Sequence, residues 1–173
     1  GSTTNLFTGE PFNSGLDLDT DLDFFHDYQG SHRLYLCSVE GNPKERFSSI
    51  ELLTHGTVVQ TTDNVHIDNL CVMYGGSHGI GGSTTEGLTV TNCVIGWIGG
   101  SILSPAPKTG GRPSRYGNGV EIYGGCGKYI VDNCYIYQIY DAGITNQNQE
   151  NVSDASRSMH NVAFTNNLIE YCE

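Results

Sequence analysis

A stacked β-solenoid, all-β and about four coils deep behind a short N-terminal β module, is the fold class that the sequence predicts. Three observations predict it. The segments NVHIDNLCV, GLTVTNCVI, KYIVDNCYI and NVAFTNNLI repeat one template, with Asn69, Asn92, Asn133 and Asn166 at the same point of an alternating apolar run. A glycine-led apolar stretch precedes each of them, opened by Gly56, Gly79, Gly119 and Gly143. The glycines recur at intervals of 23, 40 and 24 residues and the asparagines at 23, 41 and 33, so both markers set one coil length, lengthened by insertions.

The third observation is the alternation itself. Val65 and Ile67, Leu88 and Val90, Tyr129 and Val131, and Val162 and Phe164 lie two apart, as residues on one face of a strand do. Asp68, Thr91, Asp132 and Thr165 then face water. At each Asn the phase breaks, and Val72, Ile95, Ile136 and Ile169 resume the apolar series three residues on. A phase change at a polar residue marks a corner, where stacked amides are placed to bond from coil to coil. A β-sandwich has no reason to repeat its corner residue.

The first 50 residues are organised differently, so two parts are expected, 1–50 and 51–173. Asp17, Asp19, Asp21 and Asp23 alternate with leucine and threonine, followed by Asp27. A calcium loop needs an internal glycine and a distal bidentate acid, which this run lacks, so an edge strand is expected. RLYLCSVEGNPKERFSSIEL reads as a strand, a turn at Gly41-Asn42-Pro43 and a second strand.

Composition narrows the partners. Eight Lys+Arg stand against 19 Asp+Glu, a formal charge of −11, without the basic stripe that nucleic acid or an anionic membrane requires. The same acidity opposes a polyanionic substrate less strongly, because a local basic cleft overrides net charge. Gly1-Ser2 reads as a cloning remnant, and neither a signal peptide nor an apolar run of transmembrane length follows it. Of six cysteines, Cys93 and Cys134 each follow a template Asn and are expected to stack as buried thiols or to pair between coils. No pair has zinc-site CxxC spacing, so neither a metal nor a cofactor is expected.

The order DFFHD, RLYLCS, EGNP, SSIEL, GGSHGI, GNGVEIYGG and IYDAGITNQ resembles the right-handed parallel β-helix proteins of polysaccharide-degrading bacteria, many of them glycoside hydrolases. The resemblance runs from about Asp23 to the last residue. It implies a single-stranded, right-handed parallel β-helix, a polysaccharide or oligosaccharide partner, and a secreted, cell-surface or periplasmic location. Such enzymes are usually longer, and this chain stops in mid-template. The expectation is a piece of a larger protein whose exposed solenoid end meets another chain or a second copy.

Two insertions, at 104–117 and 148–158, flank the glycine-led strands of successive coils and are expected to wall a groove in which a sugar chain lies. Counting from the strand glycines puts Val58, Gly81, Glu121 and Thr145 at one outward level, and Gln60, Ser83, Tyr123 and Gln147 at the next. His55, His78, Asn118 and Ala142 form a third. Glu121 is the single carboxylate in the middle of this set and Asp141, in YDAG, the next candidate, so these two are the expected catalytic acids. Each also reads as an ordinary residue, a solvated Glu and a turn-forming Asp. Their registers differ by four residues, roughly 13 Å along a strand, against ~6.5 to 9.5 Å for inverting pairs. His78, His55, Asn118, Tyr123, Gln147, Tyr116 and Arg115 are the expected substrate contacts. GGSHGIG at His78 is similar to the GHG of pectin-hydrolysing β-helix enzymes, without their paired Asp motif upstream. Tyr74, Trp97 and Tyr171 share the fifth place after the template Asn, Gln138 filling the remaining coil, and are read as packing ahead of a sugar platform.

Three function classes follow. A glycoside hydrolase with carboxylate acid/base chemistry fits the resemblance and the acids; a uronate lyase needs the cations of the first insertion, Lys108, Arg112 and Arg115; a carbohydrate-binding or tailspike-like solenoid needs neither.

Overall fold

The computed structural model describes residues 17–27, 30–52, 56–83, 85–104, 114–147 and 158–172. The chain divides into two compact units, Gly1–Glu51 and Leu52–Glu173.

In the first unit β1 (Phe24–His26) pairs antiparallel with β2 (Leu34–Leu36). The alternating Asp run is not an edge strand; the chain turns at 20–22 and β1 begins only after Asp23. Asp21 instead clamps Arg46 through two hydrogen bonds of 2.7 and 2.6 Å and accepts from the Val39 N–H. That pairing holds the Asp21 carboxyl below the ordinary aspartate range. The stretch after Gly41 also departs from expectation. Asn42 accepts from the Lys44 N–H and Pro43 takes the first helical position, so the chain makes one helical turn, α1 (Pro43–Arg46), and no strand follows it through 52.

The second unit is an all-β parallel solenoid in which every coil gives one strand to each of three sheets. Coil one supplies β3 (Val59–Gln60), β4 (Val65–Asp68) and β5 (Cys71–Met73). Coil two supplies β6 (Ile80–Gly82), β7 (Leu88–Thr91) and β8 (Val94–Ile98), followed by a hairpin of β9 (Ser101–Ser104) and β10 (Ser114–Tyr116). Coil three supplies β11 (Val120–Tyr123), β12 (Tyr129–Asp132) and β13 (Tyr135–Ile139), and coil four β14 (Ile144–Gln147), β15 (Val162–Thr165) and β16 (Leu168–Cys172). The sheets run β14-β11-β6-β3, β15-β12-β7-β4 and β16-β13-β8-β5.

The predicted inward residues fill the interior. Leu88, Val90, Ile95, Tyr129, Val131 and Ile136 are fully buried, and the Tyr129 hydroxyl donates to the Thr145 carbonyl, so its one polar group is satisfied. The equivalent Val162, Phe164 and Ile169 of coil four, on the last strands of their sheets, stay 39, 39 and 44% exposed.

The asparagine column is real, and its reason is conformational: Asn69, Asn92, Asn133 and Asn166 all have φ between 53 and 56°, the left-handed region in which Asn is the best tolerated residue after Gly. The amides do not form one continuous ladder. Asn133 donates to Asn92, whereas Asn92 donates to Asp68 and Asn166 to Asp132. Beside them Asp and Thr alternate from coil to coil, with Thr91 donating to Asp68 and Thr165 to Asp132 at 2.6 Å. Alternation keeps like charges out of adjacent rungs. All six cysteines are free; Cys93, Cys126 and Cys134 are buried and Cys71 is exposed.

The first coil corrects one register. Val59 pairs with Ile80 and Gln60 with Gly81, so Val58, not Gly56, lies opposite Gly79. Packing partly buried Val59 against the core beside Ile80 outweighs the glycine match. Gly56, at φ +144 with open space around it, serves the turn instead.

Candidate functional site

The outer face of the first sheet carries the candidate site. Glu121 stands mid-strand on β11, between Gly81 of β6 and Thr145 of β14. Its side chain points away from the core residues Val120 and Ile122, yet Glu121 is only 7% exposed. The expected solvated position is therefore a covered one, and the cover comes from neighbouring turns. Asn118 Nδ2 donates to Glu121 Oε2, and His78 Nε2 lies 3.3 Å from Glu121 Oε1. His78 Nδ1 accepts the Asn118 backbone N–H at 3.2 Å, which assigns the ring proton to Nε2, facing the carboxylate. Gly81, beside Glu121, has no room for a side chain: a Cβ there would meet the Glu121 carbonyl oxygen at 2.6 Å.

Asn118, one of the expected substrate contacts, is a buried bridging residue. It is 2% exposed and its amide is used twice, Nδ2 toward Glu121 and Oδ1 accepting the Ala142 N–H at 3.0 Å. It positions the carboxylate and ties coil three to coil four. Asp141, one residue before Ala142, is half-buried, and its N–H donates to Gly117 O. The four-residue offset from Glu121 is thus present. Burial lowers the His78 pKa below the usual histidine value, and the charges of Glu121 and Asp141 oppose that shift.

Tyr116, at the end of β10, meets His78 edge-on with ring centroids 5.1 Å apart. Arg115 donates to the Gly100 carbonyl, so its guanidinium secures the base of the hairpin. Tyr123 and Gln147 pair across β11 and β14 two residues beyond Glu121 and are exposed on the same face. His55 lies outside the described residues, and so do Lys108, Arg112 and most of both insertions. The position opposite His78 belongs to Thr57, because Val58 N–H donates to His78 O and Ser77 N–H to Gly56 O.

Two contributors escaped the sequence reading. Gly99 and Gly117 have φ of 104 and 145° and touch backbone to backbone; a Cβ on Gly117 would come within 2.1 Å of Gly99 Cα. This close approach brings Tyr116 to His78. The glycines bracketing the first insertion were the available signal.

A separate cleft of about 270 Å³ lies on the second sheet, lined by Asn64, Val65, His66, Gly87, Thr89 and Lys128. It holds no carboxylate and offers no acid pair. Among the described residues no group of three or more His, Cys, Asp or Glu is arranged to hold a metal, and no helix is long and apolar enough to cross a membrane. Comparison with known proteins found no matching family model, curated protein or solved structure. The residues themselves define the class: an all-β parallel solenoid with a covered carboxylate–imidazole–amide cluster on the outer face of its first sheet.

Proposed function

We propose that this chain is part of a polysaccharide-processing enzyme, a secreted glycoside hydrolase built on a right-handed parallel β-helix. The observation that carries the reading is the covered Glu121 carboxylate held by Asn118 and His78 on the outer face of a parallel sheet, with Asp141 in the turn before the next strand and exposed Tyr123 and Gln147 beside it. Glycoside hydrolysis needs one carboxyl to protonate the leaving oxygen and a second to act as base or nucleophile. Glu121 meets Asn118 with one oxygen and His78 with the other, an acceptor arrangement that suits the base. Asp141, the more open of the two, suits the proton donor. Along an extended strand their four-residue offset exceeds the ~6.5 to 9.5 Å of inverting pairs, so the pair works only where the turn before Gly143 brings Asp141 back toward Glu121. Tyr123 offers a ring for stacking and Gln147 an amide for sugar hydroxyls.

A non-catalytic carbohydrate-binding solenoid is the second reading, and the near-complete burial of Glu121 favours it. A lyase receives less support, since Arg115 is engaged by the Gly100 carbonyl. Incubation with a panel of plant and host glycans separates them. New reducing ends support the hydrolase; an unsaturated, ultraviolet-absorbing product supports a lyase; retention without turnover supports the binding protein.

A further inference from the structure

The third sheet ends in a second left-handed corner, and its residues are not the ones such a corner selects. Tyr74, Trp97, Gln138 and Tyr171 occupy successive coils with φ of 63, 54, 53 and 53°. At the Asn corner, with the same φ, the chain uses Asn in all four coils. Where the turn alone matters this sequence therefore places Asn, and a bulky residue at positive φ is strained. The rings are not there to fill the core: Tyr74, Trp97 and Tyr171 are 49, 48 and 73% exposed.

The surface beside them is aromatic as well. Tyr135 and Tyr137 of β13 lie on the outward side, opposite in phase to buried Ile136, with rings stacked at 4.8 Å and 14°. The Tyr137 ring lies over Gly96 in the adjacent coil, where a Cβ would come within 2.7 Å of it. Four of the ten tyrosines and the one tryptophan thus lie on or beside this face: Tyr74, Trp97 and Tyr171 in one row along the ~4.8 Å coil spacing, with Gln138 in the remaining coil, and Tyr135 and Tyr137 side by side on one strand.

We propose that the outer face of the third sheet is a stacking platform for a neutral saccharide chain, separate from the Glu121 site and independent of turnover there. The strained, exposed rings of Tyr74, Trp97 and Tyr171 supply flat apolar surfaces for the C–H faces of sugar rings, the half-buried Tyr135 and Tyr137 extend that surface, and Gln138 supplies a partner for sugar hydroxyls. The occupant is neutral because the six residues carry no cation, Glu170 lies against Tyr135 at 3.0 Å, and the chain bears −11. A polyanion or nucleic acid would meet like charge.

The test is affinity electrophoresis of the whole chain in gels cast with hydroxyethyl cellulose, xylan or galactomannan, beside polygalacturonate and single-stranded DNA. Trp97, the only tryptophan, reports contact directly through its emission. The expected result is retention by at least one neutral glycan, a shift of Trp97 emission with its soluble oligosaccharides, and about tenfold or greater weakening in Trp97→Asn/Tyr171→Asn. Asn suits the left-handed backbone, so this variant should fold, as circular dichroism will verify; the wild-type emission shift reads out the platform without any variant. Retention unchanged in the double variant, emission unmoved by every neutral glycan, or retention only by the polyanions overturns the proposal.

Discussion

Gly119→Ala should destabilise the solenoid, and Gly143→Ala should do so far less, although both occupy the same place in successive coils. A Cβ at Gly119 would lie 2.4 Å from the Gly143 carbonyl oxygen, and one at Gly79 would lie 2.5 Å from the Gly119 carbonyl oxygen. Ordinary contact begins near 3.4 Å, so coils three and four would have to separate by about 1 Å at the rung next to Asn118 and Glu121. Overpacking of this kind costs about 1–3 kcal/mol. At Gly143 the nearest atom is instead Ile169 Cγ2 at 2.7 Å, a methyl of a 44% exposed side chain on the outermost strand of its sheet, which gives way more readily than a backbone carbonyl between two coils. The entropy that alanine removes from the unfolded chain, about 0.4–1 kcal/mol, offsets much of what remains. For a chain of this length Gly119→Ala should lower the melting temperature by roughly 2 to 12 °C, with Gly143→Ala within about 2 °C of wild type. Thermal unfolding followed by circular dichroism reads both. Equal shifts, or a neutral Gly119→Ala, would refute stacking of these glycines backbone to backbone.

Acid should unfold the solenoid partly through its Asp/Thr rungs. Thr91 and Thr165 hydroxyls, and then the Asn92 and Asn166 amides, hold Asp68 and Asp132 below the ordinary aspartate value of 3.8. A depressed folded-state pKa gives stability that is full above the unfolded value and lost as pH falls through the folded one. Thr91→Val/Thr165→Val should therefore lower stability at neutral pH and flatten its decline below about pH 4, in denaturant titrations at several pH values. His78 acts in the same direction at higher pH: its lowered pKa means that the folded chain resists protonation, so stability falls as pH drops below 6.5, a slope that His78→Gln should reduce. Thiol labelling should modify Cys71 quickly, while Cys126 and Cys134, buried and with raised pKa values, react only after denaturation. Rapid modification of all six in the native chain would contradict the described core.

What was legible in the sequence was what repeats. Asn69, Asn92, Asn133 and Asn166 announce a left-handed corner because few other residues accept that backbone, and strand alternation around them assigns inside and outside. The first coil misled because Gly56 imitates a rung glycine, while the apolar match of Val59 to Ile80 sets the register. Asn42-Pro43 reads equally as a turn and as a helix start, and only the Lys44 N–H bond decides it. Glu121 and Asp141 could be singled out, but the covering of Glu121 could not, since it depends on Asn118 and His78, 3 and 43 residues away. The exposure of Tyr74, Trp97 and Tyr171 was hidden for the opposite reason: propensity never assigns aromatics to a left-handed corner.

The most direct measurement of the central claim is reducing-end release from the best glycan of the panel, by wild type, Glu121→Gln and Asp141→Asn side by side. Acid and base roles predict a loss of about 10²-fold or more in each variant, with fold intact by circular dichroism. Undiminished release by both variants would contradict the assignment of the chemistry to this cluster.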